Sequence, residues 1–125
     1  MINDIADYLE LLGVGTCAIG TFSDARDDVM MLEWKAGIQP SYSLGRRKSF
    51  QRRPFLQVVV RHEDYNLGDD IANKVVEAME SIHGEYDDEI IISAIHNGEI
   101  LGQGRDTKMR WRFLMNFTLR TIGGN

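Results

Sequence analysis

Three histidines, one cysteine and two runs of acids are the residues with which this 125-residue chain could do covalent or acid–base chemistry. His62, His83 and His96 do not stand at the i, i+4 or short-loop spacing that brings two imidazoles to one metal ion. Cys17 is the single cysteine and has no second thiol to help complete such a site. The histidines read as surface or capping residues and Cys17 as a buried, inert thiol. Asp27-Asp28 and Asp87-Asp88-Glu89 are adjacent carboxylates. Acid–base work needs carboxyls in unlike environments that push their pKa values apart, and acids side by side in exposed turns simply ionise. Gly13-Val14-Gly15 and Gly102-Gln103-Gly104 lack both the strand-to-helix setting of a dinucleotide fingerprint and the lysine of a phosphate loop, so they read as turn glycines. The expectation is a non-enzymatic chain with no metal and no cofactor.

One constellation differs. Arg46, Arg47, Lys48, Arg52 and Arg53 surround Phe50, with Tyr42 nearby. Cations interleaved with an aromatic ring can hold nucleic-acid phosphates while the ring stacks on a base. The same residues can lie on an acidic protein surface, or the stretch can be a disordered spacer. An acidic surface is available within the chain. Residues 34–62 carry seven bases and no acid, and residues 63–99 carry eleven acids and one base. Residues 1–33 hold seven acids and one base, and residues 100–125 five bases and one acid. The net charge of −5 works against nucleic-acid binding by an isolated chain. Segregation this strong predicts opposed charged patches that steer association.

The elements that would position these residues follow from periodicity. Ile2, Ile5, Leu9 and Leu12 make one helical face, capped by Asn3 or Asp4 and closed by Gly13. Residues 15–22 read as a strand, 23–28 as a polar turn, and Val29 to Ala36 as a second strand with Met30, Leu32, Trp34 and Ala36 on one face. Gly37 to Arg53 shows neither period and reads as a long basic loop. Phe55 to Arg61 is apolar on both faces and reads as a central strand. Asn66, with Asp69 three residues on, resembles a capping box for a helix whose stripe is Leu67, Ile71, Val75, Ala78, Met79 and Ile82. Glu85 to Glu89 reads as an acidic turn, Ile90 to His96 as another central strand, and Asn97-Gly98 as a hairpin turn.

Met109 to Leu119 alternates best. Met109, Trp111, Phe113, Met115, Phe117 and Leu119 share one face, and Arg110, Arg112, Leu114, Asn116, Thr118 and Arg120 the other. The predicted fold is α+β: a single mixed β-sheet with two helices packed on one face, in the order α-β-β-β-α-β-β, residues 1–125 forming one domain. The opposite face, with Arg110, Arg112, Leu114 and Arg120, is a candidate docking surface. Hydrophobic residues at 43% and charged residues at 26% fit a globular domain. No apolar run is long enough to cross a bilayer, and the acidic start lacks the basic region of a signal peptide, which predicts the cytosol.

The assembled string resembles a known family. Asp4-Ile5-Ala6-Asp7-Tyr8-Leu9 precedes Gly13-Val14-Gly15-Thr16. The strand Arg53-Pro54-Phe55-Leu56-Gln57-Val58-Val59-Val60-Arg61 is followed by Asp64-Tyr65. Leu101-Gly102 through Gly104-Arg105-Asp106 leads into the aromatic strand with Phe113 and Asn116-Phe117. Over nearly its whole length this is similar to the minor capsid and tail-terminator proteins of tailed bacteriophages and prophages. Gln103 departs from the more compact Leu-Gly-Arg-Asp turn of that pattern. The resemblance implies a structural virion protein of the tail or neck, assembled in the bacterial cytoplasm. It would form a homo-oligomeric ring, commonly hexameric, that caps the tail tube and joins it to the head–tail connector, with DNA passing through. The candidate contact residues are Arg46, Arg47, Lys48, Phe50, Arg52, Arg53, Arg110, Arg112 and Arg120. The alternatives are a neck, head-completion or minor capsid protein, and a small nucleic-acid-binding module using the basic segment. A small enzyme assembled by the fold is a third, for which the sequence nominates no residues.

Overall fold

Among the described residues, two helices and seven strands follow one another as α1 (Ile2–Leu11), β1 (Cys17–Ile19), β2 (Val29–Ser43), β3 (Arg46–His62), α2 (Tyr65–Glu80), β4 (Gly84–Tyr86), β5 (Glu89–His96), β6 (Leu101–Arg105) and β7 (Trp111–Gly123). This computed structural model describes residues 2–13, 15–20, 29–43, 46–86, 89–105 and 109–123, and their side chains outside 36–53, 85–89, 103 and 123. The polar turn expected at 23–28 lies outside the described residues.

The strands form one mixed sheet in the order β1-β2-β3-β7-β5-β4, with β6 also paired to β7. Only β1 runs parallel to its neighbour. The long pairs β2–β3 and β3–β7 set the register, and Leu32, Val58 and Met115 fall in one row across three strands. Period-2 alternation then puts Met30, Leu32, Leu56, Val58, Val60, Phe113, Met115, Phe117 and Leu119 on one face. All are buried in a single core with Ile5 and Leu9 of α1 and Ala72, Val75 and Met79 of α2. Both helices therefore cover the same face, as expected of the α+β arrangement. The Tyr8 hydroxyl of α1 donates to the Ala78 carbonyl of α2 at 2.9 Å and ties the two together.

Several details differ from the sequence reading, each for a physical reason. The long loop expected at 37–53 is replaced by paired strands, since β2 extends to Ser43 and β3 starts at Arg46. Register shifts between Lys35 and Ile38, Ile38 and Ser41, and Tyr42 and Ser43 break the alternation, which erases the period while the backbone still pairs. Pro40 is tolerated because β1 covers the outer edge of β2 only over Met30 to Leu32.

The cap of α2 is Asp64, not Asn66. Its backbone is extended and its Oδ1 accepts the Leu67 N–H at 3.0 Å. The expected stripe of α2 holds at Val75, Ala78, Met79 and Ile82 with Ile71 half-buried against the core, but Leu67 is exposed and Gly68 and Ala72 are buried beside it. A Cβ on Gly68 would stand 2.7 Å from Cε2 of Phe113, so the helix start sits on the sheet where only glycine fits. Leu12 is likewise exposed, because α1 ends one residue earlier and Gly13 turns the chain at φ 74°.

The acidic turn expected at 85–89 gives way to β4, which ends at Tyr86, and to β5, which starts at Glu89. The strand over 90–96 is not central. It lies next to the edge, with β4 alongside only Glu89 to Ile91. Asn97-Gly98 does not reverse the chain. β5 and β6 lie end to end along one side of β7, and the Asn97 N–H donating to the Asn116 carbonyl at 2.8 Å continues the ladder between them. The last strand begins at Trp111. Met109 precedes it at φ 64° with 58% of its surface exposed, so it is not part of the alternating face.

Candidate interface

The residues able to do chemistry are used locally. His62 Nδ1 accepts the Asp64 N–H at 2.9 Å and braces the start of α2. His83 Nδ1 lies 3.2 Å from the Ser81 carbonyl beyond the end of that helix. His96 packs its ring 5.2 Å from that of Phe117, with Nε2 buried and without a hydrogen-bond partner among the described residues. Cys17 is half-buried, and desolvation, reinforced by the charges of Glu10 and Asp7, pushes its thiol up to about 12. A thiol held protonated is a poor nucleophile. Among the described residues no three of His, Cys, Asp and Glu gather as a metal site. A cavity of about 30 Å³ lined by Gly15, Thr16, Val29, Met30, Val60, Arg61 and Ile71 has room for little more than a water.

The basic candidates separate into two groups. Arg46, Arg47, Lys48, Phe50, Arg52 and Arg53 lie on β3, in the part of the β2–β3 hairpin that runs to the end of the sheet. Phe50 is paired with Gly123, the last residue of β7, so Arg46 to Ser49 extend beyond the three-stranded part. Arg110, Arg112 and Arg120 do not form the evenly wet face expected of them. Arg120 is exposed, Arg112 is half-buried, and Arg110 is only 4% exposed and precedes the strand. Arg61 stands opposite Arg112 in the ladder and is 3% exposed. Like charges in register repel, so this end of the sheet is a structural charge cluster rather than an open basic patch.

The open part of the sheet is elsewhere. On the face away from the helices, β7 carries Leu114 beside Leu101 of β6, Thr118 beside Ile95 of β5, and Ile122 beside Ile90 of β5. Ile95 is 62% and Leu101 52% exposed, and Ile90 and Ile122 are also exposed. Neither helix reaches them. The sequence reading found this face through Leu114 but missed the isoleucines, because an apolar run on both faces of a strand looks the same whether its sheet position is central or near an edge. Asn97 donates from Nδ2 to Thr118 Oγ1 at 2.7 Å and anchors the stretch between β5 and β6 to this face.

A second surface is acidic. Along the outward side of α2 and just before it, Glu63, Asp64, Asp70, Glu77 and Glu80 are exposed, with Lys74 as the one base. Glu63, Asp70, Glu77 and Glu80 form no ion pair with any described residue. No family model and no curated protein matches this chain. The described residues present an apolar strip on the sheet and an acidic helix face, and β3 carries the bases Arg46 to Arg53 at the end of the hairpin. No described helix is long and apolar enough to cross a membrane.

Proposed function

We propose that this chain is a structural assembly protein of tailed bacteriophages, a tail terminator that closes into a ring of identical copies, caps the tail tube and joins it to the head connector. The observation that carries the reading is the uncovered strip of Ile90, Ile95, Leu101 and Ile122 on a sheet whose other face packs both helices in one buried core. Apolar strips of this kind mark protein contacts. A ring requires one surface of a copy to meet a different surface of the next, and a domain with unlike surfaces supplies that. The family resemblance of the Arg53–Arg61 strand and its flanks supports the phage assignment, and the local use of His62, His83 and Cys17 is consistent with a scaffold role.

Sedimentation and electron microscopy of the purified chain, alone and with tail-tube protein, test the reading. Discrete closed rings, or capped tubes, are the expected result. A chain that stays monomeric at all concentrations and ignores tubes overturns it. Ile95→Lys with Leu101→Lys is expected to leave the circular dichroism spectrum unchanged and to weaken association at least about tenfold, since each removes an exposed apolar side chain worth about 1.5–3 kcal/mol when buried. Unchanged association would remove this strip from the interface. The alternative of a nucleic-acid-binding module draws on the bases of β3. It predicts DNA binding by the lone chain that falls steeply with salt.

A further inference from the structure

The end of the β2–β3 hairpin is rich in bases, and the outward face of α2 is acidic. We infer that the end of the β2–β3 hairpin of one copy lies along the outer face of α2 of the next copy, its bases against Asp70, Glu77 and Glu80. This rests on the ring-forming reading above and names the surfaces that give the ring its direction.

Charge and length both support the match. The hairpin strand β3 brings Arg46, Arg47, Lys48, Arg52 and Arg53 within eight positions and contains no acid. At the full strand rise these positions would span at most about 23 Å, and the register shift between Tyr42 and Ser43 shortens that reach. The outward carboxylates of α2 from Asp70 to Glu80 span about 15 Å at the helical rise, and Glu63 and Asp64 continue the acidic face past the helix start. The two surfaces are therefore of comparable length, with the register shift between Tyr42 and Ser43 placing an irregularity in β3 between Arg46 and Phe50. Within one copy the carboxylates are not used: Glu63, Asp70, Glu77 and Glu80 have no ion-pair partner among the described residues, and even Lys74, on the same helix, forms no ion pair with them. Left alone, this face costs self-repulsion, which a cationic element from outside relieves.

Such a contact is heterologous, because the hairpin end and α2 are different surfaces of one chain. It repeats head to tail and fixes which side of each copy faces forward. Exposed ion pairs contribute little singly, so the apolar strip supplies adhesion while this contact supplies direction and rate of encounter.

Charge reversal tests the inference. Three chains are compared with the wild type by sedimentation, with folding checked by circular dichroism. They are Arg46→Glu/Arg47→Glu/Lys48→Glu, Asp70→Lys/Glu77→Lys/Glu80→Lys, and both sets together. Each single set is expected to weaken self-association at least about tenfold at low salt, the combined chain to recover it, and the two single-set chains to associate with each other when mixed. A milder chain, Asp70→Asn/Glu77→Gln/Glu80→Gln, covers the case in which reversal disturbs α2 and is expected to weaken association in the same direction. The inference is overturned if the wild type forms rings and the charge variants form them equally well, or if the folded combined chain does not recover. It is also overturned if the hairpin set alone abolishes DNA binding while both sets leave association intact, which assigns the bases to nucleic acid. A wild type that never associates, with or without tail-tube protein, instead overturns the ring reading itself.

Discussion

Cys17 shows how a chemically capable residue is kept silent. Its thiol is pushed up to about 12, chiefly by desolvation and further by Glu10 and Asp7. The direction fixes a pH effect. The folded state holds the proton more tightly than the unfolded chain, so the stability this contributes is complete below about pH 9 and is lost as pH rises from there toward 12. Alkylation by iodoacetamide at pH 8 is expected to be at least about tenfold slower in the folded chain than in urea, measured by mass spectrometry. Equal rates would mean an accessible, ordinary thiol. Met109 is the opposite case, a residue the sequence assigns to the core and the fold turns outward. Its left-handed backbone makes Met109→Gly an expected gain of about 1 kcal/mol in urea denaturation. A loss of about 2 kcal/mol, as for a truncated core side chain, would place Met109 back on the buried face.

At the scale of elements, size mattered more than hydropathy. Periodicity puts Leu67 and Ile71 on the inner stripe of α2; Ile71 packs against the core, but Leu67 is exposed. The helix start packs through Gly68 and Ala72, which allow its axis close to Phe113. Gly68→Ala is expected to destabilise the fold by about 1–3 kcal/mol despite the better helix propensity of alanine, because the new methyl meets an aromatic ring. A stabilised variant in urea titration would show that Phe113 yields freely. Where alternation was unbroken the elements were legible: β3 from Phe55 onward and β7 from Phe113 to Leu119 carry the faces their sequence states. Where bulges intervene, in β2 beyond Lys35 and in β5 after Ile91, the period disappears and only the pairing partner defines the strand. The candidate site was legible only as composition. The bases of Arg46 to Arg53 stand out in any reading, whereas the exposure of Ile95 and Leu101 depends on a sheet order that local sequence does not encode.

For the whole molecule, the sheet divides its labour between two faces. One face joins two helices, β2, β3, β5 and β7 through a single buried cluster. The other leaves an apolar strip near β5 and β6, the side of the sheet farthest from β1. If the proposed ring forms, its assembly should respond to salt in two parts. The apolar strip is insensitive or strengthened, and the hairpin-to-helix contact weakens as the screening length falls from about 10 Å at 0.1 M to about 3 Å at 1 M. Rings at high salt are thus expected to form more slowly but not to vanish, a result that stopped-flow light scattering can follow. Pro40 sits in the stretch of β2 that runs past the cover of β1, flanked by two slips in register. A missing amide hydrogen and an uneven rim make that long border a poor template for a stranger's backbone. Under the proposed ring assembly, such a border would guard against the fibrous, endless stacking that a smooth one invites while each molecule waits for its neighbours.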